Sequence, residues 1–271
     1  MIKARTGDAE GESSFARSPN RSYGRARKSP VGGRTRSRCQ LIIAIDGPAG
    51  SGKSSTAKAF AKALKVPYID TGAMYRAVTL KAMREGVSFQ DKKGLVGMAK
   101  KANIKFTGTD PDKQKVFLDG KDVTKAIREP ELTRNVFHIA QEPRARRELV
   151  KKQQELGRKL GGVMEGRDIG TVVFPEADYK FYFEASTEIR AKRRQRELAA
   201  AGKHLSMKEV LLDIQKRDKT DYDRKEGPLR RAKDALLIDT TGLTIDATVD
   251  RMMALVQSNS LKRSGLRKRA R

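Results

Sequence analysis

LIIAIDGPAGSGKSS, residues 41–55, decides the fold. Its first part, Leu41 to Ile45, is apolar on consecutive residues, as a strand covered on both faces of a parallel sheet requires. After the glycines, Ala57, Phe60, Ala61 and Leu64 recur at the spacing of one buried helical face. Between them Gly47, Gly52, Lys53 and Ser54 satisfy G-x-x-x-x-G-K-[ST], the phosphate-binding loop. The spacing has a physical cause. Glycines let the backbone curl so that successive N–H groups face one concavity, the following helix adds its positive end, and a lysine reaches the outer phosphates as a point charge. Gly47, Pro48, Ala49, Gly50, Ser51, Gly52, Lys53, Ser54 and Ser55 are therefore the expected ATP-binding residues, with the hydroxyls of Ser54 and Ser55 offered to Mg²⁺.

Working outward, apolar runs at Val163–Met164, Tyr179–Phe183 and Leu236–Ile238 are each followed by polar or glycine residues and then by helical stretches. This alternation predicts an α/β fold, a P-loop NTPase-type parallel sheet with helices on both faces. Ser206 and Glu209 form a capping box before Met207, Val210, Leu211 and Ile214, and Ile245, Val249, Met252, Met253 and Val256 mark a closing helix. From about 87 to 140 the pattern changes: IKFTGTD (104–110) and KVFLDGKDV (115–123) read as short strands around turns, an inserted subdomain.

The formal charge of +26 is high for an enzyme. Residues 1–40 carry +7 of it and residues 258–271 carry +6, leaving +13 for the remainder. The first forty residues are rich in Arg, Ser, Gly and Pro without sustained apolar periodicity and read as a disordered basic extension. Their Arg and Ser content resembles an organellar targeting segment, which Asp8, Glu10 and Glu12 oppose; a start placed too far upstream accounts for them equally. Residues 258–271 read as a basic C-terminal tail, and 41–257 as the folded domain. Cys39 is the only cysteine, which excludes an intrachain disulfide. No run of about 18 apolar residues predicts a membrane span, and a cytoplasmic location is expected.

What receives the phosphate is sought at the ends of the other strands, where ligands bind in open α/β sheets. YIDTGAMYRA (68–77) runs from a strand into a helix with Asp70 and Thr71 at its start and Arg76 one turn on. EGRDIGTVVFP (165–175) leaves a strand with Arg167 and Asp168 adjacent, and KRDKTDYDRKEGP (216–228) ends a helix with Arg217, Asp221 and Arg224 on neighbouring faces. Arg146 is a fourth contributor. Several arginines point to an anionic acceptor, because guanidinium grips phosphate with two parallel hydrogen bonds. A phosphate monoester, with second pKa of about 6, is already largely dianionic at neutral pH and needs no general base. His138 and His204 lie in or beside helical stretches and are expected to be structural or exposed. In STEIRAKRRQREL (186–198), Arg190, Arg193 and Arg194 share one helical face, as a solvated basic face or as the lid whose arginines close over the transferring phosphoryl.

Together, IDGPAGSGKSS, DTGAMYRA, EPRARREL, EGRDIGTVVFP, RAKRRQREL, RDKTDYDR and LLIDTT give residues 41–257 a close resemblance to the bacterial cytidylate kinases. The resemblance implies phosphorylation of CMP and dCMP by ATP, in a core with an enlarged monophosphate-binding insert (about 87–140) and an Arg-rich helical lid (about 186–205). It also implies that Thr71, Arg76, Arg167 and Arg224 hold the acceptor phosphate and that Arg217 and Asp221 hold the sugar. Arg146 and Asp168 read the cytosine edge on the same ground, Asp168 accepting from the amino group as carboxylates do from cytosine in nucleic acids. Lys53, Arg190, Arg193 and Arg194 then act on the transition state. One departure stands out: Phe137 occupies a position where the family commonly has Ser, and its ring is expected in the core rather than stacked on the base.

Two other readings remain open at this point: another small P-loop kinase acting on UMP, AMP or a hydroxylated metabolite, and a nucleic-acid binding P-loop protein. The basic tails favour the second, since they bind polyanions through charge alone. No obligatory protein partner is expected.

Overall fold

In a computed structural model of the protein, residues 40–108 and 110–269 are described, the side chains of 130 and of 259–269 excepted. The expected extension through residue 39, with Cys39, lies outside the described residues. The opening run forms β1 (Ile42–Asp46), the loop follows, and α1 (Lys53–Leu64) begins at the lysine. The chain continues through β2 (Tyr68–Asp70), α2 (Thr71–Arg84), α3 (Lys92–Lys101), β3 (Ile104–Thr107), β4 (Lys115–Leu118) and β5 (Lys121–Asp122). Next come α4 (Pro130–Gln141), α5 (Pro143–Leu160), β6 (Gly162–Gly166), β7 (Tyr179–Glu184), α6 (Thr187–Ala200), α7 (Met207–Asp223), β8 (Leu236–Asp239) and α8 (Ile245–Arg269). A π-helical turn (Ile169–Val173) lies between β6 and β7.

Five strands pair in the order β2-β6-β1-β7-β8, all parallel. The order reverses beside β1, so the crevice at the carboxyl ends of β1 and β6 is the switch point where such sheets bind ligands. Alternation along β1 sorts its side chains between two layers. Ile43 and Ile45 join Ala57, Phe60 and Ala61 of α1 and Val249 and Met252 of α8, while Ala44 joins Met164, Ile169 and Phe174 on the opposite face. Phe60 meets Phe181 of β7 edge to face, with ring centroids 5.9 Å apart at 82°, an arrangement worth about 0.5–1.5 kcal/mol beyond burial.

Between α3 and α4, β3-β4-β5 form an antiparallel sheet, and the core there continues into that around α2. Helices α6 and α7 pack on each other through Ala191, Val210 and Ile214, and the Ser206–Glu209 capping box starts α7. The backbone of the expected C-terminal tail continues α8 as helix to Arg269.

Candidate nucleotide site

Gly47 follows β1 with φ of 155°, and a Cβ there would collide with the carbonyl of Phe183 on the neighbouring strand, so only glycine lets the loop leave the sheet here. The loop's carbonyls are then drawn outward. Arg190 Nη1 donates to the Ala49 carbonyl at 3.1 Å, Arg193 Nη1 to the Gly50 carbonyl at 3.5 Å, and Thr240 Oγ1 to the Ser51 carbonyl at 2.9 Å. With those oxygens engaged, and the Ser51 amide donating to the Pro48 carbonyl at 3.4 Å, the other loop amides remain to meet an anion. Lys53 curls back to donate to the Pro48 carbonyl at 3.0 Å. Its ammonium is buried, and burial followed by repulsion from Arg167 pushes its pKa down to about 7.

Glu165 on β6 stands at the edge of this loop. Its carboxylate accepts from Ser54 Oγ at 2.6 Å and from the Tyr68 hydroxyl, and its carbonyl accepts from Thr71 Oγ1 at 2.6 Å. Burial, followed by the nearby Asp70, holds the Glu165 carboxyl above the usual range. Sequence reasoning missed this residue, although an acidic side chain directly after the apolar pair Val163–Met164 was the available signal. A hydroxyl and one carboxylate are hard oxygen donors of the kind Mg²⁺ takes alongside phosphate and water, so the pair fits that ion. Ser55 is exposed on α1.

Beyond the lysine the site is crowded with guanidinium groups. Arg167 donates through Nε to Asp221 at 2.7 Å, and Asp221 lies 3.5 Å from Arg224. Arg217 has no hydrogen bond or ion pair among the described residues. Burial, then Arg167 and Arg194, hold its pKa below the usual value. Arg194 pairs with Glu197 at 3.1 Å, but its Nε is buried without a partner, as is Nε of Arg76, whose Nη2 donates to Asp70 at 2.6 Å. Arg167 and Arg217 lower the charge preference of Lys53, and Arg167 and Arg194 do the same to Arg217, a repulsion that a bound polyanion would relieve.

At the far end, Asp168 pairs with Arg146 and lies 3.7 Å from Arg224 Nη2, all three largely buried. Arg146 lies over the Tyr75 ring, 5.4 Å from its centre. Tyr75 was not singled out from sequence, although it belongs to the quoted DTGAMYRA stretch.

The other predicted residues fall elsewhere. Arg190 and Arg193 share a face of α6, as the spacing requires, but Arg190 is spent on Asp218 and the loop, and Arg193 on Thr240 and the loop. Phe137 corrects an expectation: it is 42 % exposed on α4, tilted against His138 with centroids 3.8 Å apart, and is no core residue. His138 stacks on Phe89 and His204 is exposed, as expected.

The family model described as cytidylate kinase matches residues 43–258. The cytidylate kinase of Caldanaerobacter subterraneus subsp. tengcongensis is 48% identical over 218 residues, 80% of this chain and 95% of that protein. That of Desulfitobacterium hafniense is 49% identical over 215 residues, covering 79% of this chain and 92% of its own length. That of Bacillus subtilis is 46% identical over 221 residues, 82% and 98% of the two chains.

Proposed function

The chain belongs to the cytidylate kinase family, and on that premise we infer that it transfers the γ-phosphoryl group of ATP to CMP or dCMP, giving ADP and CDP or dCDP. The observation that carries the site assignment is the run of ion pairs Arg167–Asp221–Arg224–Asp168–Arg146, which begins beside Lys53 of the phosphate loop. Its arginines suit anionic phosphate, and the carboxylate at its far end suits a base amino group.

In this reading the loop residues 47–55 cradle the ATP phosphates. Thr71, Arg76, Arg167 and Arg224 hold the acceptor phosphate, Arg217 and Asp221 the sugar, and Arg146 and Asp168 the cytosine edge. An acceptor phosphate oxygen attacks the γ-phosphorus in line as the bond to the β,γ-bridging oxygen breaks, and ADP leaves. Because the acceptor is already anionic, this chain's work is to position it and to neutralise charge. Lys53 and Arg194 face the transferring group, while Arg190 and Arg193 fix the loop from behind. Ser54 and Glu165 would hold Mg²⁺, which would neutralise charge on the phosphates.

Residues 87–140 are assigned as the monophosphate-binding insert and 186–205 as the lid. Residues 1–40 and 258–271 are accessory basic segments able to bind polyanions through charge. No helix among the described residues is long and apolar enough to cross a membrane, and we place the enzyme in the cytoplasm.

Following ADP production from ATP with CMP, dCMP, UMP, AMP or no acceptor tests the reading. The expected result is turnover with CMP and dCMP at least about tenfold above UMP, the discrimination a polar reader of one base edge supplies. Equal rates with UMP and CMP would remove the role given to Asp168.

A further inference from the structure

We propose that Asp46 is a positioning residue for the acceptor nucleotide: its buried carboxylate caps the turn behind Asp168 and so frees the Asp168 side chain to face the base. The inference rests on the assignment of Arg167 and Asp168 made above.

Asp46 is the last residue of β1, 4 % exposed, directly before the phosphate loop. Ile169 N–H donates to its Oδ1 at 2.8 Å and Gly170 N–H to its Oδ2 at 2.7 Å. These two amides open the π-helical turn, and Asp168 occupies the capping position in front of them. An aspartate there ordinarily turns its own carboxylate back onto the first amides of the helix. Asp168 makes no such bond; its carboxylate points to Arg146 and Arg224 instead. The capping task has passed to a residue 123 positions before Ile169 in sequence.

That arrangement costs stability. Asp46 makes no ion pair among the described residues, and the charged or titratable groups near it are Asp168 and Arg167 from the loop after β6 and Lys180 and Tyr182 from β7. Burial pushes its carboxyl up to about 7, so the ionised form is disfavoured where it is used. The position also ties the two substrates together, because the residue that anchors the acceptor segment is bonded to Gly47 of the donor loop. Without Asp46, the Asp168 carboxylate is the nearest acceptor for the open amides and turns away from the base.

The test compares Asp46→Asn, Asp46→Ser and Asp168→Asn in the full chain, measuring KM for CMP, UMP and ATP together with the melting temperature. For both Asp46 variants KM for CMP should rise about tenfold or more and the preference for CMP over UMP should fall, while KM for ATP stays within about twofold. The melting temperature should fall modestly, since two buried amides lose their acceptor and Asp168 leaves its arginines. Equal changes in the KM values for CMP and ATP, an unchanged preference, or failure of both variants to fold would make Asp46 a structural residue and overturn the proposal. If Asp168→Asn also retains the preference, the site assignment itself falls. If Asp168→Asn loses it while the Asp46 variants keep it, only the role of Asp46 falls.

Discussion

Arg190 and Asp218 meet as a fork, with Nη1 3.0 Å from Oδ1 and Nη2 2.6 Å from Oδ2, while the same Nη1 reaches the Ala49 carbonyl of the phosphate loop. One guanidinium therefore joins α6, α7 and the loop. Both partners are largely buried, and removing one side of such a pair leaves an uncompensated charge at a cost of about 3 kcal/mol. Asp218→Ala should accordingly lower the melting temperature by about 6–12 °C, as expected for a domain of this size. It should also raise KM for ATP, because the clamp on Ala49 loosens. Calorimetry of the variant with and without ATP measures both, and a melt identical to the parent would show that solvent already screens the pair.

Lys53 provides a pH test. Burial, followed by Arg167, lowers its pKa to about 7 in the free protein, and bound triphosphate restores the charged form. Below that value the amine is already protonated and ATP binding moves no proton to it. Above it, binding must bring one in, so affinity weakens as pH rises. Titration calorimetry in buffers of different ionisation enthalpy should show close to one proton taken up at about pH 8.5 and almost none at about pH 6. Lys53→Ala should abolish the uptake and lower kcat by about 10²–10³-fold, the range for loss of one preorganised charge-stabilising group.

Much of this architecture is legible because the signals are local. The run Leu41–Ile45, the glycine spacing and the helical period after it lie within a few turns of chain, and so do the capping box and the strand-like segments of the insert. Glu165, Asp218 and Asp46 escape such reading because their meaning comes from partners at least 28 residues away, and a carboxylate in a sequence does not announce burial. Phe137 differs in kind. On α4 the buried residues are Leu132 and Ile139, seven apart on one face; a residue two before Ile139 turns about 200° away from it. Period outranks residue type there.

Gly227 is a small residue with a large expected effect. Its φ is +57°, and a Cβ would run into Asp168 Oδ2 and Arg146 Nη2. Gly227→Ala pays about 1–2 kcal/mol for the left-handed backbone and pushes the Arg146–Asp168 pair apart. KM for CMP should rise about tenfold or more with KM for ATP unchanged, because the loop site is built from other elements. A parallel rise in both constants would indicate general loosening instead.

Arg217 separates the needs of the empty protein from those of the loaded one. Its guanidinium sits half-buried beside Arg167 and Arg194 with no hydrogen-bonding or ion-pair partner among the described residues, and burial followed by their repulsion holds its pKa below the usual value. Arg217→Met keeps the apolar stem and removes the charge, and the free variant should melt at or above the parent at low salt, where repulsion is least screened. Ligand should reverse the order. At about 100 times its Kd, CMP stabilises the parent by about 2.7 kcal/mol, whereas the variant, bound far more weakly at the same concentration, gains little. Melting curves across a CMP titration at two salt concentrations contain both comparisons. A free variant that melts well below the parent yet shifts equally with CMP would mean that Arg217 supports the helix hairpin rather than the nucleotide.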